Sequence, residues 1–196
     1  MKNITKEQII ETTLALINEK SGIQSVNFRE IARKMNCAHT NLYNYFTDFD
    51  DLIWNAVEAA LFNLSAYVTV DLGSNENQQI RLESFITRFI DFYLINKGWF
   101  KLIWFEKLGK SRPPENIEIS HKVVYSLTDT LCQLYPDQLT LQDAHYILHN
   151  VHCYLHGEIS IFLSGRGLIK EEKPFKNYVK NESLKIIRLL AASLKN

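Results

Sequence analysis

Glycine and proline are scarce, at 7 and 4 of 196 residues. Pro113, Pro114, Pro136 and Pro174 all fall outside the best helical patterns, and strand-type alternation bounded by turn signals is almost absent. The chain therefore reads as all-α. Cysteine is scarcer still. Cys37, Cys132 and Cys153 are odd in number and widely spaced, which excludes a disulfide framework and any Cys-x-x-Cys metal motif. Three buried thiols in a reducing compartment are expected. Charge of one sign is also lacking: 22 Lys and Arg meet 22 Asp and Glu. A polybasic coat is excluded, and any nucleic-acid site must be local. No apolar run approaches the ~18 residues of a membrane span, since even Tyr146 to Leu163 carries His, Asn and Glu. The first residues, Met1-Lys2-Asn3-Ile4-Thr5, lack the apolar centre of a signal peptide, so a cytoplasmic location is expected. Gly-x-Ser-x-Gly, P-loop and Gly-x-Gly-x-x-Gly motifs are missing. A carboxylate-bridged di-iron bundle needs two Glu-x-x-His motifs, and only Glu118-Ile119-Ser120-His121 is present. Neither an enzyme nor a cofactor is expected. What the chain does have is 46% hydrophobic and 12% aromatic residues, enough to bury a core in one or two domains.

About nine helices are expected. The first covers residues 6–20, with Thr5 and Gln8 as a capping box, an apolar face of Ile9, Ile10, Thr13, Leu14, Leu16 and Ile17, and Gly22 as the C′ residue. Asn27 caps a short helix over residues 28–35. Asn36 suits the left-handed turn that follows. A third short helix spans residues 38 to about 46, and Asp48 or Asp50 opens a long one reaching about residue 70. Helices follow at about 78–96, 99–108, 117–134, 139–163 and 175–194.

Residues 27–46 read as a helix–turn–helix. Phe28, Ile31, Ala32 and Met35 face one way on the second helix, and at ~100° per residue Ala38, Leu42 and Phe46 share the back of the third. His39, Thr40, Tyr43 and Asn44 then point outward, a polar and aromatic front suited to a major groove. A plain helical hairpin would show the same spacing.

The stretch from Thr5 to Leu52 resembles the DNA-binding domain of TetR-family transcriptional regulators. The matching residues are Gly22, Asn27-Phe28-Arg29-Glu30-Ile31-Ala32, Leu42-Tyr43-Asn44-Tyr45-Phe46 and Asp51-Leu52. The resemblance implies an N-terminal helix–turn–helix domain (residues 1–47) and a C-terminal helical ligand-binding and dimerisation domain (residues 48–196). It implies a homodimer on a palindromic double-stranded operator, acting as a repressor and switched by a small apolar or aromatic effector. Carried over by position, Thr40, Asn41, Tyr43 and Asn44 would touch bases or phosphates, with His39 and Tyr45 beside them. Thr5 and Asn27 would aim helix N-termini at phosphates, and Arg29 and Arg33 would add charge. The sequence departs from the family pattern in three places. Asn36 stands where Gly is usual, Ala38 where a Ser would cap the recognition helix, and Phe49, among Asp48, Asp50 and Asp51, where Lys grips phosphate. Residues 1–47 hold six Lys and Arg against four Glu, so non-specific binding should be weak and base readout should carry more of the specificity.

In the C-terminal half, Phe89, Tyr93, Trp99, Trp104, Tyr125 and Tyr154 are the candidate effector-binding residues, with ordinary core as the alternative for most of the aromatics there. His145, His149, His152 and His156 fall on one stripe of a single helix, with Cys153 at its edge. A semi-polar seam facing a neighbouring helix or a dimer partner is preferred over a metal site, although a metal-responsive regulator using this stripe is an alternative. The helices over 139–163 and 175–194 are the expected dimer surface. The rival to a regulator is a helical adaptor or structural dimer that does not bind DNA.

Overall fold

A computed structural model describes residues 4–70, 77–109 and 127–194, and among these every regular element is a helix. In chain order they are α1 (Lys6–Lys20), α2 (Phe28–Lys34), a 3₁₀ turn (His39–Asn44), α3 (Phe49–Thr69), α4 (Gln78–Ile95), α5 (Lys97–Trp104), α6 (described over 127–134), α7 (Leu141–Leu163) and α8 (Glu172–Ser193). By packing, the chain forms two units, Met1–Asn63 with Asn96–Ile119 and Leu64–Ile95 with Ser120–Asn196. No helix among the described residues is long and apolar enough to cross a membrane.

Local chemistry sets the helix boundaries of the first unit. Thr5 and Gln8 form the capping box of α1. Its left-handed exit falls on Ser21 (φ 56°) instead of Gly22, whose N–H donates back to the Ile17 carbonyl at 3.0 Å. Asn27 caps α2 through the Glu30 N–H, and Asn36 takes the left-handed turn at φ 53°. At the start of α3 the Asp51 N–H donates to Asp48 Oδ1 (2.9 Å) and the Thr47 N–H to Asp51 Oδ2 (2.8 Å). The acids flanking Phe49 thus serve the positive end of that helix.

One core holds the unit together. Ile9, Leu14, Leu16 and Ile17 of α1, Phe28, Ile31 and Ala32 of α2, Leu42, Phe46, and Leu52 to Leu61 of α3 bury their apolar faces in it together with Leu102 of α5. Helix α5 is pinned to α1 by polar ties as well. The Gly98 N–H donates to Asn18 Oδ1 (3.0 Å), and the Trp99 indole N–H to the Leu14 carbonyl (2.9 Å). Nothing in the local pattern of residues 97–104 announces that partner. The helix also stops at Trp104, short of the expected 108, with the Phe105 and Glu106 N–H groups both turning back to the Lys101 carbonyl.

In the second unit α4, α7 and α8 pack on one another. Leu82, Phe85, Ile86, Phe89, Ile90 and Tyr93 of α4 meet Ile147, Val151, Leu155 and Ile159 of α7 and Phe175, Val179 and Ile187 of α8 in the buried set. Thr140 and Asp143 form a capping box for α7. Helix α8 begins three residues before the expected start, at Glu172, so Pro174 lies in its first turn. A proline is tolerated there because first-turn N–H groups have no intrahelical partner. Lys176 of α8 reaches Asp91 of α4 at 2.6 Å, a tie that holds the ammonium above its ordinary pKa.

Candidate nucleic-acid interface

The outward segment is shorter and tighter than expected. Residues 39–44 form a 3₁₀ helix, not an α-helix over 38–46. Ala38 offers no side-chain cap, and the Asn41 N–H closes a three-residue turn on the Ala38 carbonyl at 3.0 Å. Capping does not pass to Asn36, whose left-handed backbone makes the turn instead. Six residues without a cap form too short a run to pay for α-helix nucleation, and the 3₁₀ form closes its bonds sooner. Leu42 and Phe46 still anchor it from behind, at 0% and 1% exposure.

The front is open. Thr5, Asn27, Arg29, Arg33, His39, Thr40, Asn41, Tyr43, Asn44 and Tyr45 are all exposed. Several of them have structural duties too. The Tyr43 ring stands edge-on to Phe28 at 4.8 Å between centroids, locking the 3₁₀ turn to α2. The Tyr45 hydroxyl donates to the Ile4 carbonyl, tying the turn to the residue that precedes α1. Asn27 spends its side-chain oxygen on the Glu30 N–H (3.1 Å). The cations nearby are partly neutralised: Lys20 and Arg33 both face Glu30, and Lys34 pairs with Glu19 at 3.0 Å. Lys20, with its hydrogen bond and charge, holds the Glu30 carboxyl below its usual range. Lys6 sits over the Phe46 ring, 5.4 Å from its centroid.

The candidate effector residues fall in both units. Phe89 and Tyr93 are buried in the second unit, edge-on at 5.0 Å, with Phe85 stacked on Phe89. Tyr154 is half-buried on α7, its phenol pushed upward by burial and by Glu158. Trp99 and Trp104 belong to the first unit, Trp104 lining a small cleft with Trp54, Leu102 and Leu108. Tyr125 lies outside the described residues, as do Glu118 and His121. A larger cleft of about 450 Å³ opens in the second unit beside Phe162, Leu168, Phe175 and Tyr178, none of which the sequence singled out as site residues. Its signal was the Gly165-Arg166-Gly167 break between two apolar helices.

The histidine stripe divides. His145 and His149 are exposed, whereas His152 and His156 are half-buried against α4. The His156 ring lies 5.8 Å from Phe89 and 6.2 Å from Tyr93, and the His152 ring 4.1 Å from His156. Burial, with His152 adding a smaller part, lowers the His156 pKa from 6.5 to about 3. The folded state then binds fewer protons than the unfolded chain across that interval. Stability contributed by neutral His156 is complete above pH 6.5 and is lost as the pH falls, by at most about 1.4 kcal/mol per pH unit. Thermal melts from pH 7 to pH 4 are expected to show this acid limb, and H156L to flatten it. Equal limbs in both proteins would refute the assignment. The cysteines depart from expectation as well: Cys37 and Cys132 are half-buried, the Cys132 thiol raised by burial, but Cys153 is exposed on the outer side of α7.

No known family's sequence profile matches the chain. It is 31% identical over 88 residues to the HTH-type transcriptional regulator BetI of Proteus mirabilis, a match covering 44% of each protein and so less than half the length of that relative. A Rhodococcus protein of unknown function superimposes with a TM-score of 0.80 at 18% identity, covering 97% of both chains. A TetR variant from Acinetobacter baumannii, in complex with minocycline, gives 0.70 at 18% identity over 99% of both. The TetR-family regulator PfmR of Thermus thermophilus gives 0.66 at 18% identity over 92% of this chain and 97% of its own. The fold seen in these structures thus runs through nearly the whole chain.

Proposed function

We propose that this chain is a TetR-family regulator, a cytoplasmic homodimeric repressor released from its operator by a small molecule; its fold and the stretch it shares with BetI support that reading. The observation that carries the reading is the polarity of the segment around the 3₁₀ turn: Leu42 and Phe46 are sealed into the core while His39, Thr40, Asn41, Tyr43, Asn44 and Tyr45 are all presented to solvent. An adaptor has no need of a six-residue polar front braced from behind by two fully buried anchors. In this reading residues 1–47 read DNA. Thr5 and Asn27 sit at helix N-termini, Arg29 and Arg33 reach backbone phosphate, and the amides of Asn41 and Asn44 read base edges.

The remainder, residues 48–196, takes the effector and the partner subunit. Phe89, Tyr93 and Tyr154 are the effector residues in the second unit. The buried rings of Phe89 and Tyr93 support an apolar or aromatic ligand, and the minocycline bound by the Acinetobacter protein contains an aromatic ring within a polycycle. Dimerisation through α7 and α8 is supported by apolar side chains left uncovered on both: Leu141, Tyr146 and Ile161 on α7, Tyr178 and Leu189 on α8. The effector acts by favouring one of two dimer geometries.

Fluorescence anisotropy with duplexes from the DNA upstream of the gene tests the reading. A palindromic duplex is expected to bind selectively over a scrambled one at low salt, as two chains per duplex. A folded protein that shows no selectivity would leave the adaptor reading in its place. All three tryptophans belong to the first unit, so a tryptophan response to a compound bound beside Phe89 would also report coupling between the units.

A further inference from the structure

We propose that His149 and Cys153 form half of a zinc-class metal site, which a second copy of the chain completes across a two-fold seam. The proposal rests on the reading of α7 as a dimer surface. His149 Nε2 lies 3.7 Å from Cys153 Sγ, and both side chains are exposed on adjacent turns of α7. A tetrahedral zinc ion bound by an imidazole nitrogen at about 2.0 Å and a thiolate at about 2.3 Å holds those two atoms about 3.5 Å apart. The pair therefore already stands at chelating span in the rotamers it adopts. Thiolate and imidazole together select a soft or borderline ion over magnesium or calcium.

Among the described residues, one chain brings two ligands to this point. Among the described residues no group of three or more His, Cys, Asp and Glu side chains is placed to hold a metal. His152 and His156 have turned inward to Phe89, and so the stripe does not chelate as a whole. A two-fold axis beside Cys153 would bring a second His149 and a second Cys153, a closed set of two sulfurs and two nitrogens. Gly157, one turn beyond Cys153, points to that axis. Exposed positions Gln142, His145, His149, Cys153 and Gly157 follow one another along α7 at three- and four-residue steps. A glycine inside a helix costs ~1 kcal/mol relative to alanine. Nothing among the described residues makes use of the missing side chain, because a Cβ there would meet none of their atoms within 4 Å. A second helix crossing at that point would. On binding, each Cys153 thiol releases its proton to solvent and each His149 offers the lone pair of a neutral ring, with no change of oxidation state.

The test uses the full chain, reduced and purified without an affinity tag. Sedimentation of the metal-free protein gives its oligomeric state. Titration with Co²⁺, followed by absorption, and equilibrium dialysis with Zn²⁺ give the ligands and the stoichiometry. The expected result is a dimer that takes one ion per two chains and shows the thiolate-to-cobalt charge-transfer band. C153S abolishes the band, H149A weakens binding at least tenfold, and C37S and C132S leave both unchanged. Circular dichroism confirms that these variants are folded. A dimer without the band, or one taking an ion per chain, overturns the metal site and leaves the dimer reading standing. A metal-free chain that sediments as a monomer and stays monomeric with Zn²⁺ overturns both.

Discussion

Replacing Asn41 and Asn44 together by alanine is expected to bring operator binding down to the level of scrambled DNA while leaving the fold unchanged. Both side chains are exposed on the 3₁₀ turn, and the turn is held by contacts that neither provides: Leu42 and Phe46 in the core, the Tyr43 ring on Phe28, and the Tyr45 hydroxyl on the Ile4 carbonyl. Thermal stability should therefore change little. The expected effect on binding is large because, in the proposed two-fold reading, each contact is lost twice. At ~1 kcal/mol for each of four lost base contacts, the low end of the usual range, the loss is ~4 kcal/mol, or about 1000-fold in affinity. Anisotropy titrations of the double variant against operator and scrambled duplexes, with melts alongside, measure both quantities. A variant that keeps its selectivity would remove these amides from the interface. R33A offers a contrast. Its guanidinium already faces Glu30 at 3.5 Å, so its loss should weaken all duplexes alike and lower the salt dependence only slightly.

What could be read from the chain alone was whatever short-range rules decide. Thr5, Asn27 and Asp48 announce helix starts because a cap works within three residues, and Asn36 announces its turn because few other side chains tolerate that backbone. The buried backs of α1 and α2 follow from spacing. The 3₁₀ segment was legible in position and in its two faces, since Leu42 and Phe46 are apolar in either helix type. Its 3₁₀ form was harder to foresee, because it depends on the missing cap at Ala38 and on the brevity of the segment. Tertiary matters were out of reach. The four histidines share a stripe by arithmetic, yet Phe89 and Tyr93 decide that two turn inward and two outward. Trp99 and Trp104 carry the aromatic signature of a ligand pocket as well as that of a core, and only the pairing of α5 with α1 shows the Trp99 indole bonded to the Leu14 carbonyl.

That pairing yields the other large effect. Gly98→Ala is expected to destabilise the first unit by on the order of 3–5 kcal/mol, a large part of the 5–15 kcal/mol that holds a typical domain folded. Gly98 is buried where α5 crosses the end of α1, and a Cβ built on it would stand 2.2 Å from the Ile17 carbonyl oxygen and 2.6 Å from Asn18 Cα. Both atoms are helix backbone, so no side chain can swing aside, and the two helices must separate. Separation stretches the Gly98 N–H bond to Asn18 and the Trp99 indole bond to Leu14, together worth ~2 kcal/mol. It also loosens Leu102, which the core of the first unit holds at 1% exposure. Alanine is the better helix former, so local propensity alone would make the change favourable by ~1 kcal/mol. The sign of the measured effect therefore decides between close helix contact and propensity. A urea titration followed by tryptophan fluorescence reads the change directly, because all three tryptophans report from this unit. Operator binding should fall along with stability, unlike in the asparagine variant, where binding is lost and the melting curve stays in place. A Gly98→Ala protein as stable as the parent would mean that α5 does not lie on α1 in solution.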